Sequence, residues 1–298
     1  MQNRLLIIGC GDVGLRVARQ AQGAGYHEII GVVRSAQRAE VLRAHGISAE
    51  EMDLHDAQAV QALPTEGAEV VYLAPPAALH GNQDQGMRHF LHRCQTQTPA
   101  KVVYISTSGV YGDCQGATVT EQSPVNPATA RARLRLDAEQ QVQAFGRTYA
   151  VPTVILRVAG IYGPGRLPLE RIREGMVVVC PEQAPLSNRI HADDLASICL
   201  AALQRGLAQA IYNVADGQAS TMTDYFYAVA DIAGVPRPPC VPLAEAAAHL
   251  SPMMMSFINE SRVLDCRALF SQLQVQLRYP QLSDGIRASL EVPSAENN

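Results

Sequence analysis

No apolar run in this sequence approaches the roughly 18–20 residues that a membrane-spanning helix requires, so no membrane partner is expected. Excess positive charge is missing as well: 24 Lys and Arg stand against 28 Asp and Glu, a net charge of −4 with a pI near 6.1. A nucleic-acid partner therefore has no electrostatic footprint here. The chain enters an apolar strand almost at once, without the basic segment and cleavage site of a secretory leader, and a cytoplasmic location is the expectation. Paired cysteines are absent too. The seven cysteines, at 10, 94, 114, 180, 199, 240 and 266, form an odd set with no CxxC, which fits neither a disulfide framework nor a zinc site. They read as small buried apolar residues, no metal is expected, and Cys114, in a loop, is a candidate reactive thiol.

What the sequence does have is rhythm. Apolar runs at Leu5–Ile8, Ile29–Val33, Val70–Leu73, Val102–Ile105 and Val154–Leu156 alternate with stretches of helical spacing such as Val13–Gln22 and Ala57–Ala62. Strands that are apolar throughout belong to a parallel sheet covered on both faces, so the expected class is α/β, a doubly wound parallel (Rossmann) sheet. After about residue 160 the rhythm loosens into Pro- and Gly-rich segments, "GPGRLPLERIREG" and "VPRPPCVP". The expected organisation is a dinucleotide-binding domain over 1–165 and a smaller C-terminal substrate lobe over 166–298, with part of 186–215 returning to the first. The last residues, 292–298, read as a frayed tail.

Directly after the first strand, Gly9-Cys10-Gly11-Asp12-Val13-Gly14 spells GxGxxG at a helix start. Gly9 permits the tight turn, Gly11 leaves no Cβ between backbone and a pyrophosphate, and Gly14 lets helix and strand approach closely. The free N–H groups and positive dipole end of the helix then face the phosphates. The alternative is a tight turn that holds no ligand. An acidic residue at the end of the second strand would bind the ribose hydroxyls of NAD, but here Arg34-Ser35 stand there, with Arg38 one turn on. A cation and a hydroxyl suit a 2′-phosphate, so NADP is favoured and NAD remains open. Arg34 could equally be a solvated residue after a strand. Asp53, with Leu54 beside it, follows a third short strand and is placed either to accept from an adenine amino group or to cap the next helix.

"VVYISTSGVYGD", "ILRVAGIYGPGR" and "RIHADDLA" follow in order, and with the opening turn they resemble the extended short-chain dehydrogenase/reductase family, the NAD-dependent epimerases and dehydratases. "IYNVADGQASTMTDYFYAVADIAG" resembles that family's link into its substrate lobe. The resemblance implies that Thr107 orients the reacting oxygen, although a strand-end hydroxyl capping the next turn is the plainer reading. It also implies that Leu73, Ala74, Pro75, Val158 and Ala159 line the cofactor. A homodimer through sheet-flanking helices is implied as well.

The family's Tyr-xxx-Lys, with Glu four residues later, is broken. Counting back from Glu139 puts Arg135 at the Lys position and Arg131 at the Tyr position. A guanidinium keeps the charge but cannot donate a proton as a phenol does. A solvated charge ladder along the helix is the alternative for all three residues. Tyr111 is a substitute proton carrier to consider, while His191 and Asp194 read as structural. Nucleotide-sugar members carry Asn at the place of Gly160 and an Arg clamp at the place of Ser187, and Arg189 is expected to point the other way. The expected function is an NADP(H)-binding, epimerase/dehydratase-like oxidoreductase of atypical catalytic type. It would act on a small carbonyl or alcohol, using Thr107 and Arg131 or Arg135, with water or Tyr111 relaying the proton. The alternative is a non-enzymatic NADP(H) sensor or scaffold.

Overall fold

Leu5 and Ile7 lie in one hydrophobic core and Leu6 and Ile8 in another, on opposite faces of the same strand. Successive side chains of a strand point to opposite faces, so a run apolar at every position needs a core on each side. The computed structural model describes residues 3–76 and 83–291, so the expected frayed tail at 292–298 falls outside the described residues. Strands β1 (Arg4–Ile8), β2 (Glu28–Val33), β3 (Ser48–Glu51), β4 (Glu69–Tyr72), β5 (Lys101–Thr107), β7 (Thr153–Val158) and β12 (Ala210–Val214) form one sheet in the order β12-β7-β5-β4-β1-β2-β3. Every pairing in it is parallel. This is the doubly wound Rossmann arrangement.

Helix α1 (Asp12–Gln22) begins at the glycine turn, α2 (Ala36–Ala44) follows β2, and the short α3 (Ala57–Val60) follows β3. α4 (Gln85–Thr96) and α5 (Ala130–Tyr149) then lead into β5 and β7. From β1 the chain winds to β2 and β3 on one side, then returns to β4, β5 and β7 on the other. The order therefore reverses between β1 and β4, where the strand ends leave a crevice.

Past β7 the elements shorten: β8 (Gly160–Tyr162), α6 (Leu169–Arg173), β9 (Val178–Val179), β10 (Leu186–Ser187) and β11 (Arg189–His191). α7 (Ala192–Arg205) then packs against α1, where Arg16 pairs with Asp193 at 2.5 Å. α8 (Met222–Ala233) and the C-terminal helix Leu282–Glu291 build a separate core from Tyr162, Tyr225, Phe226 and Ile286.

The cysteine reading needs correction. Cys180, just after β9, is bonded to Cys240, which opens the short strand paired with β9. Spacing could not reveal this bond, because parallel pairing brings together residues 60 positions apart. Cys10, Cys94, Cys199 and Cys266 are buried as expected. Cys114 is half-buried, and burial raises its thiol above the ordinary value, which lowers rather than raises its reactivity.

Candidate functional site

The glycine turn is built by backbone geometry. Gly9 adopts φ +78°, and its N–H and that of Cys10 donate to the Val32 carbonyl at 3.0 and 2.9 Å. A Cβ on Gly9 would lie 2.5 Å from the Ala74 backbone, so the turn and the Leu73–Pro75 segment touch only because residue 9 has no side chain. Gly14 faces Cys10 and Ile7 at 3.1–3.2 Å, the close helix–strand approach expected of it. Gly11, at the N-cap of α1, is different: a Cβ there meets nothing within 4 Å. Open space at the head of a helix, with N–H groups free, is what a pyrophosphate requires.

That space is a cavity of about 400 Å³ above the reversal of strand order. Gly9, Gly11, Arg34, Ser35 and Arg38 line it, as do Asp53, Leu54, Ala74 and Pro75. Arg34 is exposed, and Ser35 caps α2 through the Arg38 N–H. Arg38 leans back toward the turn: burial pushes the Cys10 thiol up to about 12, and the Arg38 charge pulls the other way. Its Nε and Nη2 are buried, with no hydrogen-bond partner among the described residues. Buried guanidinium N–H groups without acceptors are costly. Asp53 is not a helix cap. Asp56 caps α3, and among the described residues the Asp53 carboxylate accepts from the His55 N–H at 3.0 Å. Asp12 and Val13 lie in the first turn of α1, Val13 buried and Asp12 paired with Arg16 at 2.9 Å and Arg166 at 2.6 Å. Leu73 packs at the core edge, its N–H donating to the Ile8 carbonyl at 2.7 Å.

A second cavity, about 430 Å³, lies beyond the ends of β5 and β7 and holds Thr107, Arg131, Val158 and Ala159. Thr107 Oγ1 accepts from the Gly109 N–H at 3.1 Å, so its own proton is free for an acceptor in the cavity. Arg131 is exposed and stacks over Phe257 at 5.4 Å. The other expected catalytic residues are elsewhere. Tyr111 is buried, its hydroxyl donating to Asn213 Oδ1 at 2.7 Å and its ring covered by Arg157, and it lines neither cavity. Arg135 Nη1 donates to the carbonyls of Ala74 and Ile105 and to the Tyr104 hydroxyl, tying β4 to β5 outside both cavities. The chain's only lysine, Lys101, donates to the Leu203 and Gly206 carbonyls at the opposite end of β5.

The charge-ladder alternative also fails, because Glu139 is buried and pairs with Arg157 at 2.7 Å. His191 and Asp194 do hold structure: His191 Nδ1 accepts from Asp193 N–H, and Asp194 accepts from the N–H groups of Arg278 and Tyr279. Burial lowers the His191 imidazole to about 4.

Sequence reasoning missed two arginines of the second cavity, Arg166 and Arg262, and misplaced a third, Arg189. Arg189 was expected to face away from Ser187. Residues two apart in an extended segment share a face, and both line the cavity, Arg189 Nη2 donating to Ser187 Oγ at 3.3 Å. Arg166 and Arg262 arrive from the loop after β8 and from the C-terminal lobe, so only tertiary structure brings them in. Near Arg189, burial raises the Asp216 carboxyl to about 6, with Arg189 opposing and Asp194 reinforcing the shift. The native state thus holds this proton more tightly than the unfolded chain does. The stabilisation is complete below the ordinary value of 3.8 and is lost as pH rises through 6. Asp216→Asn keeps the acceptor for the Gln218 N–H, so it should be about 1–3 kcal/mol more stable than the parent at pH 8 and equal to it at pH 3.5. Urea unfolding at the two pH values checks this, and an equal effect at both would contradict it.

A model of the NAD dependent epimerase/dehydratase family matches residues 5–215, and the chain belongs to this family. Among curated relatives, protein YeeZ of Escherichia coli is 27% identical over 220 residues, covering 71% of this chain and 77% of its own. Human dTDP-D-glucose 4,6-dehydratase is 30% identical over 122 residues, 38% of this chain and 35% of its own. Among solved structures, a conserved protein of unknown function from Silicibacter pomeroyi superposes with a TM-score of 0.81 at 31% identity, covering 96% of this chain and 98% of the other. The UDP-glucose 4-epimerase of Thermotoga maritima, solved with UDP-glucose, gives a TM-score of 0.79 at 19% identity with 97% of each chain covered; it is similar in fold. No described helix is long and apolar enough to cross a membrane.

Proposed function

We propose that the chain is an NADP(H)-dependent oxidoreductase of atypical catalytic type acting on a small carbonyl or alcohol. The observation that carries the reading is the cavity opened by the glycine turn, which Arg34, Ser35 and Arg38 line, Arg38 Nε and Nη2 having no acceptor among the described residues. With Arg34 and Ser35, Arg38 forms a pocket for a 2′-phosphate. Gly9, Gly11 and the α1 N-terminus hold the pyrophosphate, Asp53 and Leu54 the adenine side, and Leu73–Pro75 with Val158 and Ala159 the nicotinamide end. When bound, such a dinucleotide gives or takes a hydride.

The chain's own part is orientation and charge. Thr107 donates a hydrogen bond from its hydroxyl to the reacting oxygen and keeps its proton, and Arg131 stabilises negative charge developing there. Tyr111 and Arg135 position the walls from outside the cleft. Because Arg131 is exposed at the cavity, water exchanges the proton.

Arg38→Met should weaken NADPH about tenfold or more in calorimetry and leave NADH within about twofold. Thr107→Ala should cut turnover by about tenfold or more at unchanged NADPH affinity. Equal losses for the two nucleotides would remove the NADP assignment. Tight NADPH binding with no oxidation across a panel of carbonyl compounds would replace the enzyme by the sensor.

A further inference from the structure

The second cavity is strongly cationic. Arg131, Arg166, Arg189 and Arg262 line it, against a single lining carboxylate, Glu260. Arg262 is paired with Glu260 at 2.8 Å and Arg166 with Asp12 at 2.6 Å, so these two charges are answered within the protein. Arg189 is not. It is 8% exposed, and among the described residues no carboxylate oxygen lies within ion-pair distance of it. Its guanidinium rests 4.1 Å from the centre of the Tyr225 ring, donates one hydrogen bond to Ser187 Oγ, and leaves Nε buried with no acceptor among the described residues. Burial lowers its proton affinity, yet a guanidinium stays charged in a protein. Asp216 attracts Arg189 only from beyond ion-pair distance, and burial raises its own carboxyl to about 6. Desolvating a cation this far without a direct ion pair is costly, and a cation–π contact answers only part of that cost.

The opposite wall explains how Arg189 reaches the cavity. β8 and β11 pair in parallel with Gly160 in register with Arg189. A Cβ at residue 160 would come within 3.0 Å of Arg189 Nη1 and 3.3 Å of the Asn188 carbonyl. Glycine at 160 therefore clears the volume that the guanidinium occupies. The two departures from the nucleotide-sugar pattern, the missing Asn at 160 and the displaced arginine, are one arrangement: the side chain lost from β8 makes room for the charge gained on β11. Nη1, beside Gly160 at the cavity wall, has no hydrogen-bond partner among the described residues.

We propose that this cavity seats a small oxyanion, a carboxylate or a phosphate monoester of the substrate, on Arg189 beside Gly160. The inference rests on the second cavity being the substrate site of the proposed oxidoreductase, and it names what that substrate carries. Arg131, the other cation there without a carboxylate partner among the described residues, adds attraction without a buried cost.

The test is isothermal titration of the full chain, free of nucleotide, with inorganic phosphate, with malonate and with UDP. Phosphate or malonate should bind in the millimolar range, and the tighter of the two identifies the anion. Arg189→Met and, separately, Gly160→Asn should each weaken that probe about tenfold or more, whereas Arg38→Met, in the other cavity, should leave it within about twofold. Gly160→Asn keeps every charge and only fills the space, so it tests the arrangement even should Arg189→Met disturb folding. Undetectable binding at about 10 mM, unchanged affinity in both cavity variants, or loss only in Arg38→Met would overturn the proposal. UDP binding more than about tenfold tighter than both small probes would overturn it too, assigning the cavity to a nucleotide diphosphate. Failure of NADPH to bind, with anion binding and its loss in Arg189→Met intact, would overturn the cofactor reading alone.

Discussion

Arg157→Met is expected to lower the stability of the fold by about 3–5 kcal/mol, because it strands the Glu139 carboxylate in the interior. The pair is deeply buried, with side-chain exposures of 5% and 3%. Arg157 Nε and Nη2 both donate to Glu139, Nη1 donates to the Glu121 carbonyl at 3.4 Å, and Ser106 Oγ donates to the same carboxylate at 2.5 Å. Burial pulls the Arg157 proton affinity down, but Glu139 more than restores it, so the net shift is upward. Ser106 and Arg157 are in register across β5 and β7, and the next residues along are Thr107 and Val158 of the second cavity. The network therefore fixes the strand ends that carry the site. Since the cost comes from the unpaired partner, Arg157→Met with Glu139→Leu should recover most of it. Urea midpoints of the single and double variants decide the matter: a single variant within about 1 kcal/mol of the parent would contradict the account.

Gly9→Ala is the second large effect. The new Cβ would sit 2.5 Å from Ala74 Cα and N, which are backbone atoms that cannot rotate aside, and at φ +78° an L-residue is strained in any case. Strain and overlap together should cost about 3 kcal/mol or more and separate the glycine turn from the Leu73–Pro75 segment, abolishing nucleotide binding as well. Thermal unfolding with and without NADPH measures both losses. A fully stable, NADPH-binding Gly9→Ala protein would mean that the turn and Ala74 do not meet as described.

Much of the fold was legible because the doubly wound sheet writes itself into the sequence. Residues such as Leu5–Ile8 must serve two cores at once, and the glycine spacing at 9, 11 and 14 follows from three separate backbone demands. β12 was harder to read, since its residues appear in sequence only as a link between lobes, yet they pair with β7 at the sheet edge. The site divides in the same way. Thr107 and Arg131 were legible because one strand end and one helix face project them into one cavity. Tyr111 and Arg135 misled because motif position says nothing of which side chain is already spent. Here Asn213 takes the phenol, and two carbonyls with the Tyr104 hydroxyl take the guanidinium. Glu139 looked like one rung of a solvated ladder and is a buried ion, because its partner lies on β7 and not on its own helix. Arg189 was placed on the wrong side for a similar reason. Its meaning depends on Gly160 in the neighbouring strand, and pairing of β8 with β11 cannot be read from either segment alone.

The open space above Gly11 is where the pyrophosphate would lie, and titration of NADPH into the parent and into Gly11→Ala tests this directly. A Cβ at residue 11 meets no protein atom within 4 Å, so the variant should unfold at the parent's temperature. The methyl group would nonetheless occupy the place of the pyrophosphate. One NADPH should bind per parent chain in the micromolar range, with an affinity weaker by about tenfold or more in Gly11→Ala. Equal affinity in the two proteins, or no binding to the parent at millimolar NADPH, would contradict it.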